Sequence, residues 1–338
     1  MTGEISPGKR KARARDAKSP VTTFRRKFFL VLLLGAAIAA TSDAQTSAAV
    51  DRAELFRAQA QVEAPFVPVV SPNGVDDGHA AASPNDADLG AQEILKRSEE
   101  YRPFTVAFAA PFFYTSNVSL THDHEVSDFL VTPAIGLFYQ PRLFQTLYGL
   151  IDAHQQFFYY NRLNRFDFGS FDAQAGLTYY VPQFHNLVLY GRYDFNRLTF
   201  SDRISDDFFS SHSINLGAEL PFRFGRAQQI SVGGNIDVDF AADRESPRRN
   251  SYESFVGYSV NVSRWFSVDT AARVAVRPYY GDDRTDVAWA LSAGVNYRLT
   301  TWWSASAIST FAANRSNHDM FDYDVANVGG LLSLSFSF

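Results

Sequence analysis

The sequence predicts an all-β chain rolled into a transmembrane antiparallel β-barrel of about twelve strands. Three observations carry that prediction. From Pro103 onward, apolar and polar residues alternate in aromatic-rich stretches long enough to cross a bilayer. The connections between these stretches alternate between short and long. At the start of the chain, a basic segment precedes a single continuous apolar run, the form of an export signal.

The export signal comes first in chain order. Lys9, Arg10, Lys11, Arg13, Arg15, Lys18, Arg25, Arg26 and Lys27 precede the apolar residues 28–40, and Ser42-Asp43-Ala44 supplies small residues for cleavage. The run is shorter than the ~20 residues of a spanning helix, so residues 1–44 read as a secretory signal peptide. Arg25-Arg26 also fits a twin-arginine signal, whereas the leucine-rich run suits the general secretory route. The chain contains no cysteine, which removes disulfides, thiolate metal sites and lipoprotein anchoring from consideration.

Removing the signal changes the charge balance. The whole chain carries a formal −5, but residues 1–44 hold nine of the 31 Lys/Arg and three of the 36 Asp/Glu. The remainder has 22 basic against 33 acidic side chains, near −11. Such an excess argues against nucleic-acid binding through phosphate neutralisation and leaves room for cation-attracting loops or a cation-attracting lumen.

Residues 45–102 read as a flexible periplasmic leader. Turn signals such as Ser71-Pro72-Asn73-Gly74 and Ser83-Pro84-Asn85-Asp86 punctuate an Ala-, Pro- and Asp-rich stretch. A short helix is predicted over 88–100, capped by Asp88, with Leu89, Ile94 and Leu95 as a thin apolar stripe. It either enters the barrel as a plug or forms the run-in to the first strand.

Residues 103–338 read as the barrel. Strands are predicted over 104–116, 128–140, 146–160, 168–181, 187–200, 211–222, 229–241, 252–263, 266–279, 286–298, 302–313 and 325–338. Connections after even strands are short, as in Pro182-Gln183-Phe184-His185 or Arg264-Trp265. Those after odd strands are mostly longer and acidic, as over 119–125, 201–207, 243–249 and 315–324. Strand pairs recur about every 40 residues, and an even strand count places both termini in the periplasm. Aromatics gather near both strand ends, Trp265, Tyr297, Trp302 and Trp303 at one and Tyr114, Tyr159, Phe240 and Tyr280 at the other, as the girdles of a membrane barrel require.

The chain ends Leu331-Leu332-Ser333-Leu334-Ser335-Phe336-Ser337-Phe338, apolar and small polar in alternation. This tail resembles the C-terminal β-signal of bacterial outer-membrane β-barrel proteins, with Phe336 and Phe338 as its aromatic positions. The resemblance implies recognition by the barrel-assembly machinery. It also implies residence, after signal cleavage, in the outer membrane of a Gram-negative-type bacterium, among its lipids and lipopolysaccharide.

The strand register assigns the polar face to the lumen. Asp152, Asp194, Glu219, Asp237 and Asp239 are expected to line it with Arg192, Arg273 and Arg277; acidic groups dominate strands three to eight, and most of the basic ones fall on strands nine and ten. Asp172, Glu253, Asp269, Asp286 and Arg298 share that face. Opposed charged walls would set a field across a constriction and favour polar solutes or cations. Alternatively, the same charges pair and close the lumen. A twelve-strand barrel has a backbone radius of only about 12 Å, so side chains fill much of it.

Chemistry beyond a channel finds weaker support. Asn235, Asp237 and Asp239 offer three oxygens on one strand face, but an extended strand spreads ligands ~7 Å apart, so no metal is assigned. Twelve-stranded outer-membrane lipid hydrolases resemble this chain in strand count alone. Their general base and nucleophile would have to come from Asp152 with His154, or from His122 and His124 among Asp123, Glu125 and Asp128. His212 lies between Ser211 and Ser213, but strand neighbours face opposite ways. No catalytic residue or cofactor is assigned. The expected function is a narrow passive channel or a structural surface protein, with a lipid-modifying enzyme or a channel component of an export complex as alternatives.

Overall fold

The computed structural model describes residues 46–56, 101–201, 203–224, 227–281 and 283–338. The export signal and the helix expected over 88–100 lie outside the described residues.

Thirteen strand segments build the wall. They are β1 (Phe104–Thr115), β2 (Asp128–Val131), β3 (Ala134–Tyr139), β4 (Leu147–Tyr160), β5 (Phe168–Val181), β6 (Leu187–Phe200) and β7 (Arg203–Phe224). These continue as β8 (Gln228–Ala242), β9 (Ser251–Ser263), β10 (Phe266–Pro278), β11 (Thr285–Arg298), β12 (Trp303–Ser316) and β13 (Tyr323–Ser337). β2 and β3 form one wall between β1 and β4, so the sheet is a twelve-stranded antiparallel barrel of hairpin neighbours. It closes where β13 pairs with β1, from Thr105↔Ser337 to Thr115↔Asn327. Closure removes the free sheet edges that lipid could not satisfy.

The second predicted strand ran unbroken from 128 to 140, but it divides at Thr132-Pro133. Proline has no N–H to give the ladder. The Pro133 carbonyl still accepts from Phe157 (3.0 Å), and the Thr132 N–H reaches the Pro111 carbonyl of β1 (2.9 Å). Register therefore continues through the break. A larger difference concerns β7, predicted to begin at 211. It begins at Arg203 because the segment read as an acidic loop continues the hairpin with β6, with register shifts near Thr199. Arg197 braces this extension through the Ser205 carbonyl (2.9 Å).

Alternation separates two surfaces. On β1, Phe112 is 55% exposed while Phe113 beside it is 1% exposed. The outward face carries Phe108, Phe129, Ile151, Leu216, Val256, Leu291, Val328 and many like them, all exposed. Leaving a side chain of this size in water forgoes about 1.5–3 kcal/mol, and an apolar surface encircling the molecule is far larger than a water-soluble monomer tolerates. Hydrocarbon is the solvent this surface fits.

One end of the barrel bears short connections, with residues 264–265 enough to join β9 to β10. The chain enters and leaves at this end: Arg102 donates to the Ser337 carbonyl (2.9 Å), and the Tyr101 hydroxyl donates to the Gln140 carbonyl. The opposite end bears longer loops, the first spanning residues 116–127. There Asp128 ties two loops together by accepting from the backbone of Arg162 (2.8 Å) and Leu163 (3.0 Å).

Inside, near the long-loop end, residues 46–56 form a helix, α1. This stretch belongs to the segment read from sequence as a flexible leader. Ala49, Ala53 and Phe56, at helical spacing, turn one apolar face to Phe113, Phe158 and Leu198 of the wall. Gly329 on β13 makes room for this packing, since a Cβ there would collide with the Phe112 carbonyl and the Phe113 ring.

Candidate functional site

The interior around α1 concentrates charge. Asp51 and Glu54 stand three residues apart on the helix and therefore share a face. Arg249, from the loop between β8 and β9, donates to Asp51 (2.5 Å), to Glu54 (2.5 Å) and to the Tyr279 hydroxyl (2.6 Å). Arg277, near the end of β10, donates to Glu54 (2.5 Å) and lies 3.9 Å from Asp51. Both arginine side chains are about nine-tenths buried, whereas that of Glu54 is 40% exposed. Burial works against the charge of Arg249, but Tyr279, Asp51 and Glu54 outweigh it and hold its pKa well above the ordinary value. Burial also raises the Tyr279 phenol, with Arg249 opposing.

Further contacts hold the helix along its length. Arg52 donates to the Val118 carbonyl (2.8 Å) and lies over the Phe166 ring at 5.0 Å. Arg244 reaches the Thr46 hydroxyl (3.4 Å) and Arg284 the Ser47 hydroxyl (3.2 Å). The Phe56 ring sits 5.3 Å from Phe113 and 6.0 Å from Phe158.

Two cavities flank the helix, and Glu54 borders both. The larger, about 280 Å³, is lined by Asp172, Asp194, Asp237, Asp239 and Glu253 together with Arg249 and polar Asn and Ser side chains. The smaller, about 80 Å³, is lined by Arg273, Arg277, Glu253, Trp289 and Tyr323, with Asp51 and Leu55 of the helix. Among wall and loop residues, carboxylates thus outnumber Arg249 around the larger cavity, while Arg273 and Arg277 outnumber Glu253 around the smaller, with α1 between them.

The eight residues expected to line the lumen fall into two groups. Asp194, Asp237 and Asp239 border the larger cavity, and Arg273 and Arg277 the smaller. Asp152, Arg192 and Glu219 face inward nearer the short-turn end and border neither. Arg192 donates to Gln174 (3.3 Å) and covers the Tyr190 ring at 4.2 Å. Asp152 lies opposite Phe138 and Gln174, and Glu219 opposite Val188 and Gly233. Phe336 and Phe338 stand at the outer rim of the short-turn end, with Phe336 stacked on Trp302 (6.1 Å) and Phe338 beside Phe104 (6.3 Å).

Sequence reasoning missed Asp51, Glu54, Arg249 and Arg284. The signal was present: Ala48-Ala49-Val50-Asp51-Arg52-Ala53-Glu54-Leu55-Phe56 has strong helix formers and an i, i+4, i+7 apolar stripe at Ala49, Ala53 and Phe56. The Ala- and Pro-rich composition of the following residues obscured it.

The groups weighed for chemistry are spread over the wall and the first long loop. The Asp237 carboxylate accepts from Ser213 (3.1 Å) and Asn215 (3.3 Å), and Asp239 lies 3.7 Å from Arg248. His122 and His124 are exposed on the first long loop, while Asp128 faces Arg162 and Leu163. His154 stands opposite Asp172 across the β4–β5 pair, with Ser170 close by. The Ser170 hydroxyl donates to Asp172 (3.1 Å), and Asn196 donates to both. His212 faces outward instead, paired with the Tyr193 hydroxyl (2.6 Å) among Phe195 and Phe240.

No family model matches the chain, and no curated protein matches it. Among solved structures, an outer-membrane channel from Pseudomonas putida F1 is similar with a TM-score of 0.50 at 12% identity, covering 70% of this chain and 96% of that one. The translocator domain of the autotransporter NalP from Neisseria meningitidis gives 0.39 at 9% identity, covering 70% of this chain and 89% of that one. An anion-selective porin from Comamonas acidovorans gives 0.34 at 9%, covering 69% and 98%. At these identities the first likeness concerns the fold alone, and it agrees with a closed outer-membrane type of barrel.

Proposed function

We propose that the protein is a narrow passive channel of the outer membrane, with its termini and short turns in the periplasm and its long loops outside. The observation that carries this reading is the larger cavity, a polar space of about 280 Å³ lined by carboxylates within a barrel whose outer surface is apolar. A barrel serving only as a surface scaffold has no need of a polar interior space wide enough for water and small solutes, since well-packed side chains would fill it at lower cost. An acidic wall facing a basic one instead orients and selects small charged solutes passing between them.

Purified protein in a planar bilayer tests the reading. Discrete ion currents above the empty-membrane baseline are expected, with cations preferred over anions. Absence of current from protein shown to be folded and inserted would contradict a channel.

Placement in the outer membrane is tested separately, by fractionating cells after signal cleavage. The protein is expected with the lipopolysaccharide-bearing fraction.

A further inference from the structure

We propose that α1 is a releasable plug, seated in the lumen by the pairing of Asp51 and Glu54 with Arg249 and Arg277. Its consequence for conduction rests on the channel reading; the release itself does not.

Four observations support a plug that can leave. First, α1 is short. Isolated helices of this length are marginal in water, so it owes its order to its socket, and departure returns conformational freedom to the chain. Second, the socket is unevenly filled. Phe56 has aromatic neighbours, but Glu54 opens onto a cavity on either side and is 40% exposed, so water can reach the centre of the charge cluster.

Third, the arginines have other partners in reach. Arg249 and the carboxylates of Asp237, Asp239 and Glu253 line the same cavity, and Arg277 shares the smaller one with Glu253. When α1 leaves, the two guanidinium groups turn to wall carboxylates that the seated helix holds in competition with its own. The helix carboxylates, for their part, are relieved of an acidic wall that repels them. Two alternative pairings of the same cations are the basis of a two-state element. Fourth, the chain length permits movement. In sequence, 44 residues separate Phe56 from Tyr101, and an extended chain of that length can span on the order of 100 Å.

A cysteine reporter tests the plug. The natural chain has no cysteine, and Ala53 is 2% exposed where α1 is seated. In Ala53→Cys protein, a membrane-impermeant maleimide is expected to react slowly. Adding Asp51→Asn and Glu54→Gln should raise the labelling rate about tenfold or more, because the pairing that seats the helix is lost. Heat-modifiable mobility in detergent gels confirms that the barrel of each variant is folded. If the double change prevents folding, Glu54→Gln alone is read in its place, with a smaller rise expected.

A second reporter at Thr46→Cys, 5% exposed, guards against an effect of the label site itself. Equal labelling with and without the carboxylates, at both reporters, overturns the plug. Ion current recorded on the same proteins separates the two proposals. Faster labelling with greater conductance supports both, whereas faster labelling without current in any variant upholds the plug and rejects the channel.

Discussion

Single residues at the long-loop end carry unusual weight because they replace water as the partners of buried charge. Arg284 is 3% exposed and forms a two-armed pair with Asp286, itself 1% exposed, while lying over the rings of Tyr279 (3.9 Å) and Phe321 (3.5 Å). Asn314 donates to the same carboxylate (2.9 Å). Removing one partner of such a pair strands the other charge. Asp286→Asn is therefore expected to destabilise the barrel by about 3 kcal/mol, seen as a lower temperature for the shift from folded to unfolded gel mobility. The exposed pair Arg315–Asp324 offers a contrast, since both side chains are well hydrated. Asp324→Asn should cost less than about 1 kcal/mol by the same measurement. Asp286 was recognisable from sequence as an inward residue. Its partner was not, because Arg284 lies in a loop, where strand alternation assigns no face.

At the scale of elements, the closing seam and the internal helix behave differently. β13 completes the barrel by pairing with β1, and its last residues stand at the rim beside Phe104 and Trp302. If Phe338 belongs to a recognition signal for assembly, its deletion should sharply reduce the inserted fraction in cells, read by extraction and heat-modifiability. Asp237→Asn, an interior change, should leave insertion near the wild-type level. Normal insertion without Phe338 would reduce the tail to an ordinary strand end. Period-two alternation located the walls because each strand must face lipid on one side and the lumen on the other. It failed at 203–210 because the register shifts there, with Thr199 opposite Asp207 and Phe200 opposite Arg203, so extra residues on β7 break the period of two. The helix over 46–56 escaped notice for a different reason. Its stabilising contacts come from Phe113, Phe158, Arg249 and Arg277, residues far away in sequence.

Across the whole molecule, charge is sorted by wall. Asp194, Asp237 and Asp239 border one cavity, and Arg273 and Arg277 the other, with α1 between. For a conducting barrel this asymmetry sets ion preference. Combined Asp237→Asn and Asp239→Asn changes should move the reversal potential in a salt gradient toward anions. Arg273→Gln should move it toward cations. Unchanged reversal potentials in both would place the selective region elsewhere, nearer Asp152, Arg192 and Glu219.

By itself the sequence determined the barrel of about twelve strands, its hairpin order and its apolar exterior. All of these follow from local rules of alternation and turn chemistry that act between near neighbours along the chain. Which inward charges meet, where the interior stays open between them, and that Asp51 and Glu54 stand between the walls against Arg249 and Arg277 were decided only by tertiary structure. Curvature and register bring distant strands and an N-terminal segment into contact there, and no spacing along the chain encodes the distance across a closed ring.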